Sequence, residues 1–360
     1  MTIEKVLSLL AEEEFDGILL RKRNNFSWVT GGRHNHIVQT TPDGVADLVV
    51  MPDKVYVVTV NMEAARIMEE ELADVPFDFE LVTDEWFNGH DHLLLKIGEG
   101  KRMATDAPFH DWMDVSPKLS WLRSQLTEDE MNRYRQVCQQ AADAIEETCR
   151  QLQPGQTEHE IASVLAQKVM AQGMNVHVLL VATDERIYKY RHPIPTGKRM
   201  KRQAMLVLCA ERGGLVANVT RLVHFGPLPK QLEECKQKLA YIDACMNAST
   251  RPGIKVGDII NTAIREYKQA GYPDDWKKLH LGGPTGYATR EYLATSSSSD
   301  TVRVNQAFAW NPALPGVKSE DTILVTENGI EILTETGKWP YIEVECNGMI
   351  LRRPDMMVRD

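Results

Sequence analysis

The sequence predicts two domains: a small α/β N-terminal domain over residues 1–123, and an α+β C-terminal domain over residues 124–360 with a pseudo-two-fold repeat. Three observations predict this. The chain has 360 residues, more than one hydrophobic core usually supports. Its first third alternates helix-like and strand-like patterns. Its remainder carries two Pro-Gly helix starts with matched spacing: Pro154-Gly155 leads to Ile161 and Gly173, and Pro252-Gly253 leads to Ile259 and Gly271. Pro to Ile is 7 residues and Pro to Gly is 19 in both copies.

The elements follow in order. Ile3 to Glu14 has helical periodicity, and Gly17 to Leu20 reads as a short buried strand. Ala46 to Met51 and Val55 to Val60 flank a Pro52-Asp53 turn as two strands. Met62 to Leu72 reads as a helix with Ala65, Ile67 and Met68 on its apolar face; His90-Asp91-His92 reads as an exposed loop beside Gly89, and Trp112 to Leu122 has no clear pattern. Past a boundary near Arg123, Thr127 and Glu130 form a capping box, with Glu128 and Asp129 favouring the positive helix end. That helix should run to about Leu152, before Pro154-Gly155. Each repeat copy then supplies an amphipathic helix, through Ile161, Val164, Leu165 and Val169 or through Ile259, Ile260, Ala263 and Ile264, and each follows a long helix, the second over Leu232 to Ala248. Ala307 to Trp310, Thr322 to Thr326 and Ile330 to Thr334 are strands, the last two joined by an Asn328-Gly329 hairpin turn. A cleft between duplicated halves suits a small ligand.

Composition narrows the function classes. With 43% hydrophobic and 26% charged residues the chain is globular, and its net charge of -10 opposes nucleic-acid binding, which needs clustered cations. The basic run Lys198, Arg199, Lys201 and Arg202 reads as a solvated face. Six cysteines without a C-x-x-C pair argue against a zinc knuckle or disulfide scaffold and fit a reducing compartment. Residues 1–15 lack a signal-peptide pattern, and no apolar run is long enough to span a bilayer, so the expected location is the cytoplasm, without a membrane partner.

Several segments, in order, carry a family resemblance: Phe26-Ser27-Trp28-Val29-Thr30-Gly31-Gly32, Arg191-His192-Pro193-Ile194-Pro195, Asn218-Val219-Thr220-Arg221, His280-Leu281-Gly282-Gly283, Asn311-Pro312 and Ser319-Glu320-Asp321-Thr322. Together they resemble the pita-bread hydrolases: methionine aminopeptidase, aminopeptidase P, prolidase and creatinase. The resemblance covers nearly the whole chain and implies a pita-bread C-terminal domain.

The peptidases of that family hold two metal ions with two Asp, one His and two Glu, whose carboxylates bridge hard cations. Here the Asp positions match Cys209 and Asn218, the His position falls at Gly283 or Pro284, and the first Glu position matches Asn311. Only Glu320 remains, and the stretch from Glu211 to Ala217 is about two residues short of the family pattern. The resemblance thus implies a lost metal site, with no metal and no cofactor expected. A single soft metal on Cys209 and histidine is the weaker alternative.

Creatinase shows, within the resemblance, that this fold can cleave a C–N bond using a His as general acid and base; the matching residue is His192, with Glu320 beside it to orient the substrate. Arg290 stands where the peptidases have His-Glu and would offer a planar fork to a substrate carboxylate. His280, Arg221, Asn218, Asn311 and Cys209 complete the expected substrate site. Cys209 is also a candidate nucleophile beside His192, against the plainer reading of a buried thiol. Arg33 is a counterpart of the arginine that a partner subunit supplies in creatinase, which with the prolidase branch also implies a homodimer. The leading expectation is a metal-independent hydrolase of a small-molecule or short-peptide substrate; the others are a non-catalytic binding or scaffold homologue and a metal-dependent Xaa-Pro peptidase with altered ligands.

Overall fold

A computed structural model describes residues 2–360. The chain divides into two compact units, Met1–Arg123 and Ser124–Asp360.

The first unit contains α1 (Thr2–Glu12), β1 (Gly17–Lys22), α2 (Arg23–Val29), β2 (Asp43–Val50), β3 (Val55–Val60), α3 (Asn61–Arg66), β4 (Glu80–Asp84), α4 (Asp91–Ile97), β5 (Met103–Thr105), β6 (Met113–Asp114) and α5 (Ser116–Arg123). Its six strands form one mixed sheet in the order β4-β3-β2-β1-β5-β6. The apolar run Ile18, Leu19 and Leu20 is buried in β1, which lies between antiparallel β2 and parallel β5.

Three expectations change here. The helix from Met62 divides: α3 gives way to a wider π turn over Ile67–Glu71, with Ile67 buried but Ala65 exposed. The unclear Trp112 to Leu122 stretch ends in α5, which buries Leu119. His90-Asp91-His92 is not a loop but the start of α4, and its imidazoles diverge, His90 to Asp47 at 2.9 Å and His92 to Asp84 at 2.8 Å.

The second unit contains α6 (Glu128–Gln151), α7 (Glu158–Met170), β7 (Asn175–Thr183), α8 (Glu185–Lys189), β8 (Gln203–Arg212), β9 (Leu215–Phe225), α9 (Lys230–Ser249), α10 (Val256–Gln269), β10 (Gly282–Thr285), β11 (Ala307–Trp310), β12 (Ala313–Leu314), β13 (Val317–Lys318), β14 (Asp321–Thr326), β15 (Gly329–Ile332), β16 (Tyr341–Cys346), β17 (Met349–Pro354) and β18 (Met356–Arg359). The capping box at Thr127 forms as expected, and Thr157 with Glu160 makes a second one that starts α7.

The repeat is visible in the backbone wiring. Thr157 bridges to Arg199 and, at the equivalent place, Lys255 bridges to Thr301. Gly155 N–H donates to Met200 O at 2.8 Å, and Gly253 N–H to Val302 O at 2.9 Å. Both glycines have positive φ, which a side chain would strain. Each half then builds a four-stranded sheet, β18-β9-β8-β7 in one and β10-β11-β14-β15 in the other.

The two sheets meet where β9 faces the start of β14. Thr220 N–H donates to Glu320 O at 3.0 Å, and Asn218 N–H to Thr322 Oγ1 at 2.8 Å. The β14–β15 hairpin exists, but Thr326 pairs with Gly329, so its two turn residues are Glu327 and Asn328, one position earlier than expected.

Cys245 on α9 and Cys346 at the end of β16 form a disulfide, contrary to the expectation drawn from scattered cysteines. It ties the β16–β17 hairpin to α9 within a small apolar cluster of Ala240, Ala244, Ala248 and Val344. Cys138, Cys149, Cys209 and Cys235 are free and buried. Among the described residues, no helix is long and apolar enough to cross a membrane.

Candidate active site

A cavity of about 300 Å³ opens in the second unit, lined among others by His192, Cys209, His280, Arg290, Asn311, Lys318 and Glu320. Its apolar wall is one face of the β7–β8 pair. Val178 pairs with Cys209 and Leu180 with Val207, so the period-two alternation of both strands aims these four side chains the same way. Asn218 pairs with Cys209 on the other side, extending that row into β9.

The other half supplies the polar wall. Its residues come from the ends of strands, where the backbone leaves the sheet: His280 before β10, Thr289 and Arg290 after it, Asn311 after β11, Lys318 in β13 and Glu320 before β14. His192 comes from the loop after α8, and its ring centroid lies 5.9 Å from that of His280.

Arg290 organises the centre. Its Nη1 donates to Asn218 Oδ1 at 2.8 Å, and its Nη2 donates to Glu320 Oε1 at 2.8 Å and, more weakly, to Asn311 Oδ1 at 3.4 Å. Lys318 Nζ donates to Glu320 Oε2 at 2.7 Å, and Thr220 Oγ1 donates to the same oxygen at 2.8 Å. The side chains of Arg290, Lys318 and Glu320 are only 8%, 5% and 3% exposed. Three residues at family ligand positions, Asn218, Asn311 and Glu320, therefore aim their oxygens at one guanidinium.

This donor set does not fit two hard cations. Bridging carboxylates are absent at Cys209, Asn218 and Asn311, and the one carboxylate is already paired with two side-chain cations. Of the two positions expected for the family histidine, Gly283 has no room for a side chain. A Cβ on Gly283 would lie 2.4 Å from Tyr292 O. Among the described residues, no group of three or more His, Cys, Asp or Glu side chains could hold a metal ion.

Ionisation follows from these contacts. Burial alone would raise the Glu320 carboxyl, but Lys318 and Arg290 beside it hold it at about 2. Burial, then Lys318, lower His192 despite the opposing pull of Glu320. Burial and then Arg290 and His192 push His280 down to about 4. Both imidazoles are neutral near pH 7. Burial, and next Glu320, push the Cys209 thiol up to about 12, so it is a protonated wall group there and not an activated nucleophile.

The structure brings His192, His280, Cys209, Arg290, Asn311 and Glu320 to the cavity, with Asn218 directly behind Arg290. Arg221 is corrected. It does not line the cavity, and its guanidinium is spent on Glu146 at 3.2 Å, Asp321 at 2.9 Å and Thr334 O at 2.9 Å. Arg353 extends this buried network through Asp321 and Asp243, both at 2.8 Å. The fork of Arg290 is likewise engaged inside the chain and not free for a substrate. Arg33 lies in the first unit after Gly31 and Gly32, half-buried, its carbonyl accepting from Ser27 Oγ at 2.7 Å. In the basic run Lys198 pairs with Glu185 at 3.0 Å and Arg199 Nη1 donates to Gly155 O, while Lys201 and Arg202 are exposed.

Sequence reasoning missed Lys318. Its position two residues before Glu320 is the available signal, because alternate residues of an extended segment share a face. It also missed Tyr292, Leu293 and the apolar wall.

Residues 132–327 match the model of Metallopeptidase family M24, more than half of the chain. An uncharacterised peptidase of Staphylococcus aureus (strain MW2) is 25% identical over 255 residues, which are 68% of this chain and 72% of the relative. The Xaa-Pro dipeptidase from Bacillus anthracis superposes with a TM-score of 0.78 at 18% identity, covering 99% of both chains. The N-terminal domain of the FACT complex subunit SPT16 from Cicer arietinum is also similar, with a TM-score of 0.70 at 10% identity over 94% of this chain and 96% of that one. With its duplicated half, its two-domain architecture and this match, the chain belongs to metallopeptidase family M24 and has the pita-bread fold.

Proposed function

We propose that the cavity hydrolyses a C–N bond in a small carboxylated substrate, as an Xaa-Pro peptidase-like enzyme that works without the dinuclear metal centre. The observation that carries this reading is the Arg290–Glu320–Lys318 cluster. It puts two fixed cations against the last family carboxylate, leaving one net positive charge to attract a substrate carboxylate.

His192 is the general acid and base. Held neutral by burial and by Lys318, it has a lone pair for a proton at pH 7. It takes a proton from water as the water oxygen bonds to the carbon of the C–N group. That proton then passes to the leaving nitrogen as the C–N bond breaks, which restores neutral His192. Lys318 receives the substrate carboxylate, while Val178, Leu180, Val207 and Leu293 take its apolar part. Cys209 is a wall group in this scheme.

A panel of Xaa-Pro, N-acylated and amidino compounds, read by mass spectrometry, tests the reaction with metal analysis of the same protein. Turnover lost in His192→Ala is expected. Two bound ions per chain, with activity lost on chelation, would sink the proposal.

A second reading is a non-catalytic binding homologue. It draws support from the internal pairing of Glu320 and Arg290, and from the likeness to the FACT complex subunit domain named above. Ligand binding with no turnover across the panel would favour it.

The proposed setting is a cytoplasmic homodimer, on the resemblance to prolidase and creatinase. The Cys245–Cys346 disulfide pulls against a reducing compartment. Alkylation of the protein in cell extracts would decide its state, and a one-chain mass in solution would remove the dimer.

A further inference from the structure

The substrate class can be narrowed from the balance of donors, acceptors and charge around the cavity. Among the described residues, Glu320 is the sole carboxylate lining it. A carboxylate offers about four lone-pair sites. Three are already filled on Glu320: Arg290 Nη2 on Oε1, and Lys318 Nζ and Thr220 Oγ1 on Oε2. The group is closed in at 3% exposure, so no anion is left to receive a substrate ammonium.

Donors, by contrast, remain. Arg290 Nε is a buried donor without a hydrogen-bond partner; His280 Nδ1 is also buried and unpartnered, and its role as donor or acceptor follows the tautomer of the neutral ring. Lys318 carries three N–H groups, and one of them is spent on Glu320. The other polar lining groups, among them Asn311, Thr289 and Cys209, are neutral. A cavity with one surplus positive charge and unmatched donors selects a ligand rich in acceptor oxygens. It repels a second cation, and like charges placed together at a desolvated contact are strongly unfavourable.

We infer that the site takes an amino-blocked amino acid, such as an N-acyl amino acid, and rejects dipeptides that carry a free α-ammonium group. The inference rests on the reading of this cavity as a hydrolase site and narrows its substrate. The acyl oxygen and the carboxylate would answer the free donors, and the acyl chain would lie on the Val178, Leu180 and Val207 face.

Calorimetric binding to the wild-type protein tests it with two matched pairs: N-acetylproline against glycylproline, and N-acetylalanine against glycylalanine. Each pair differs by the ammonium group alone. At pH 7.5 the acetylated member should bind at least about 100-fold more tightly, the size of effect expected of like-charge repulsion in such a site. The gap should shrink at pH 9.5, where a peptide amine with a pKa of about 8 has lost its charge. Equal or tighter binding of the dipeptides, a gap that pH does not change, or no binding of any of the four would overturn the inference. Hydrolysis of the free dipeptides would overturn it and leave the hydrolase reading standing. Tight binding of the acetylated compounds without turnover would sink the hydrolase reading and leave the ligand class intact.

Discussion

Arg290 Nη2 and Glu320 Oε1 lie 2.8 Å apart, in side chains 8% and 3% exposed. Because the pair is desolvated, its parts are not separable. Removing Glu320 strands both Arg290 and Lys318, and an uncompensated buried charge typically costs about 3–5 kcal/mol, whereas removing Arg290 leaves Glu320 still paired with Lys318 at 2.7 Å. Glu320→Leu should lower the unfolding free energy by about 3–5 kcal/mol, and Arg290→Leu by less, because Lys318 remains on the carboxylate. The double variant should lose less than the sum of the two. Denaturant titration of the three variants measures the coupling, and simple additivity would show that the ion pair contributes nothing.

Acid should weaken this protein through Glu320, His280 and His192, all acting in the same direction. Glu320 is held at about 2 in the fold, against 4.5 when free of its surroundings. Its stabilisation is complete above pH 4.5 and is lost as pH falls toward 2, by about 3 kcal/mol in all. His280, lowered from 6.5 to about 4, must be neutral in the fold, so the unfolded chain binds more protons between those values. Stability therefore starts to fall below pH 6.5 and falls further below 4.5. In His280→Asn the first of these limbs of the melting-temperature profile should shrink to the part that His192 contributes, while the second stays.

His192→Ala should reduce kcat by about 10²–10⁴, the usual contribution of a positioned acid or base, and shift the unfolding free energy by less than about 1 kcal/mol. The wild-type acid limb of kcat/KM should lie below pH 6.5, because burial and Lys318 lower the imidazole. An acid limb above pH 6.5 would remove His192 as the titrating base.

Arg221→Met should destabilise by about 3–5 kcal/mol, since it removes the buried cation shared by Glu146 and Asp321 and leaves Glu146 only the partly exposed Arg150 as a counter-charge. KM of the folded fraction should not change. A raised KM at unaltered stability would return Arg221 to the substrate site.

Much of the fold was legible because its signals are local. Thr127 and Glu130 announce a helix start within four residues, and the matched Pro-Gly spacings announce the duplication. Thr157 and Glu160 carry the same box, just after the Pro154-Gly155 turn. The loss of carboxylates at Cys209, Asn218 and Asn311 was readable by position. What filled the vacancy was not, because the Arg290 fork closes on Asn218 and Glu320 from residues 72 and 30 positions away. Arg221 was misread for a related reason: a motif gives a residue's neighbours in sequence but not whether it faces the cavity or the core. The Cys245–Cys346 pairing spans 101 positions and leaves no local trace.

That disulfide closes a covalent ring, and His280, Arg290, Asn311, Lys318 and Glu320 all lie inside it. A protease that cuts one exposed loop of the ring would not release a fragment. The clipped chain would run as a single species on a non-reducing gel, and the second half of the pocket would remain tethered on both sides of the cut until a thiol reductant reached Cys245.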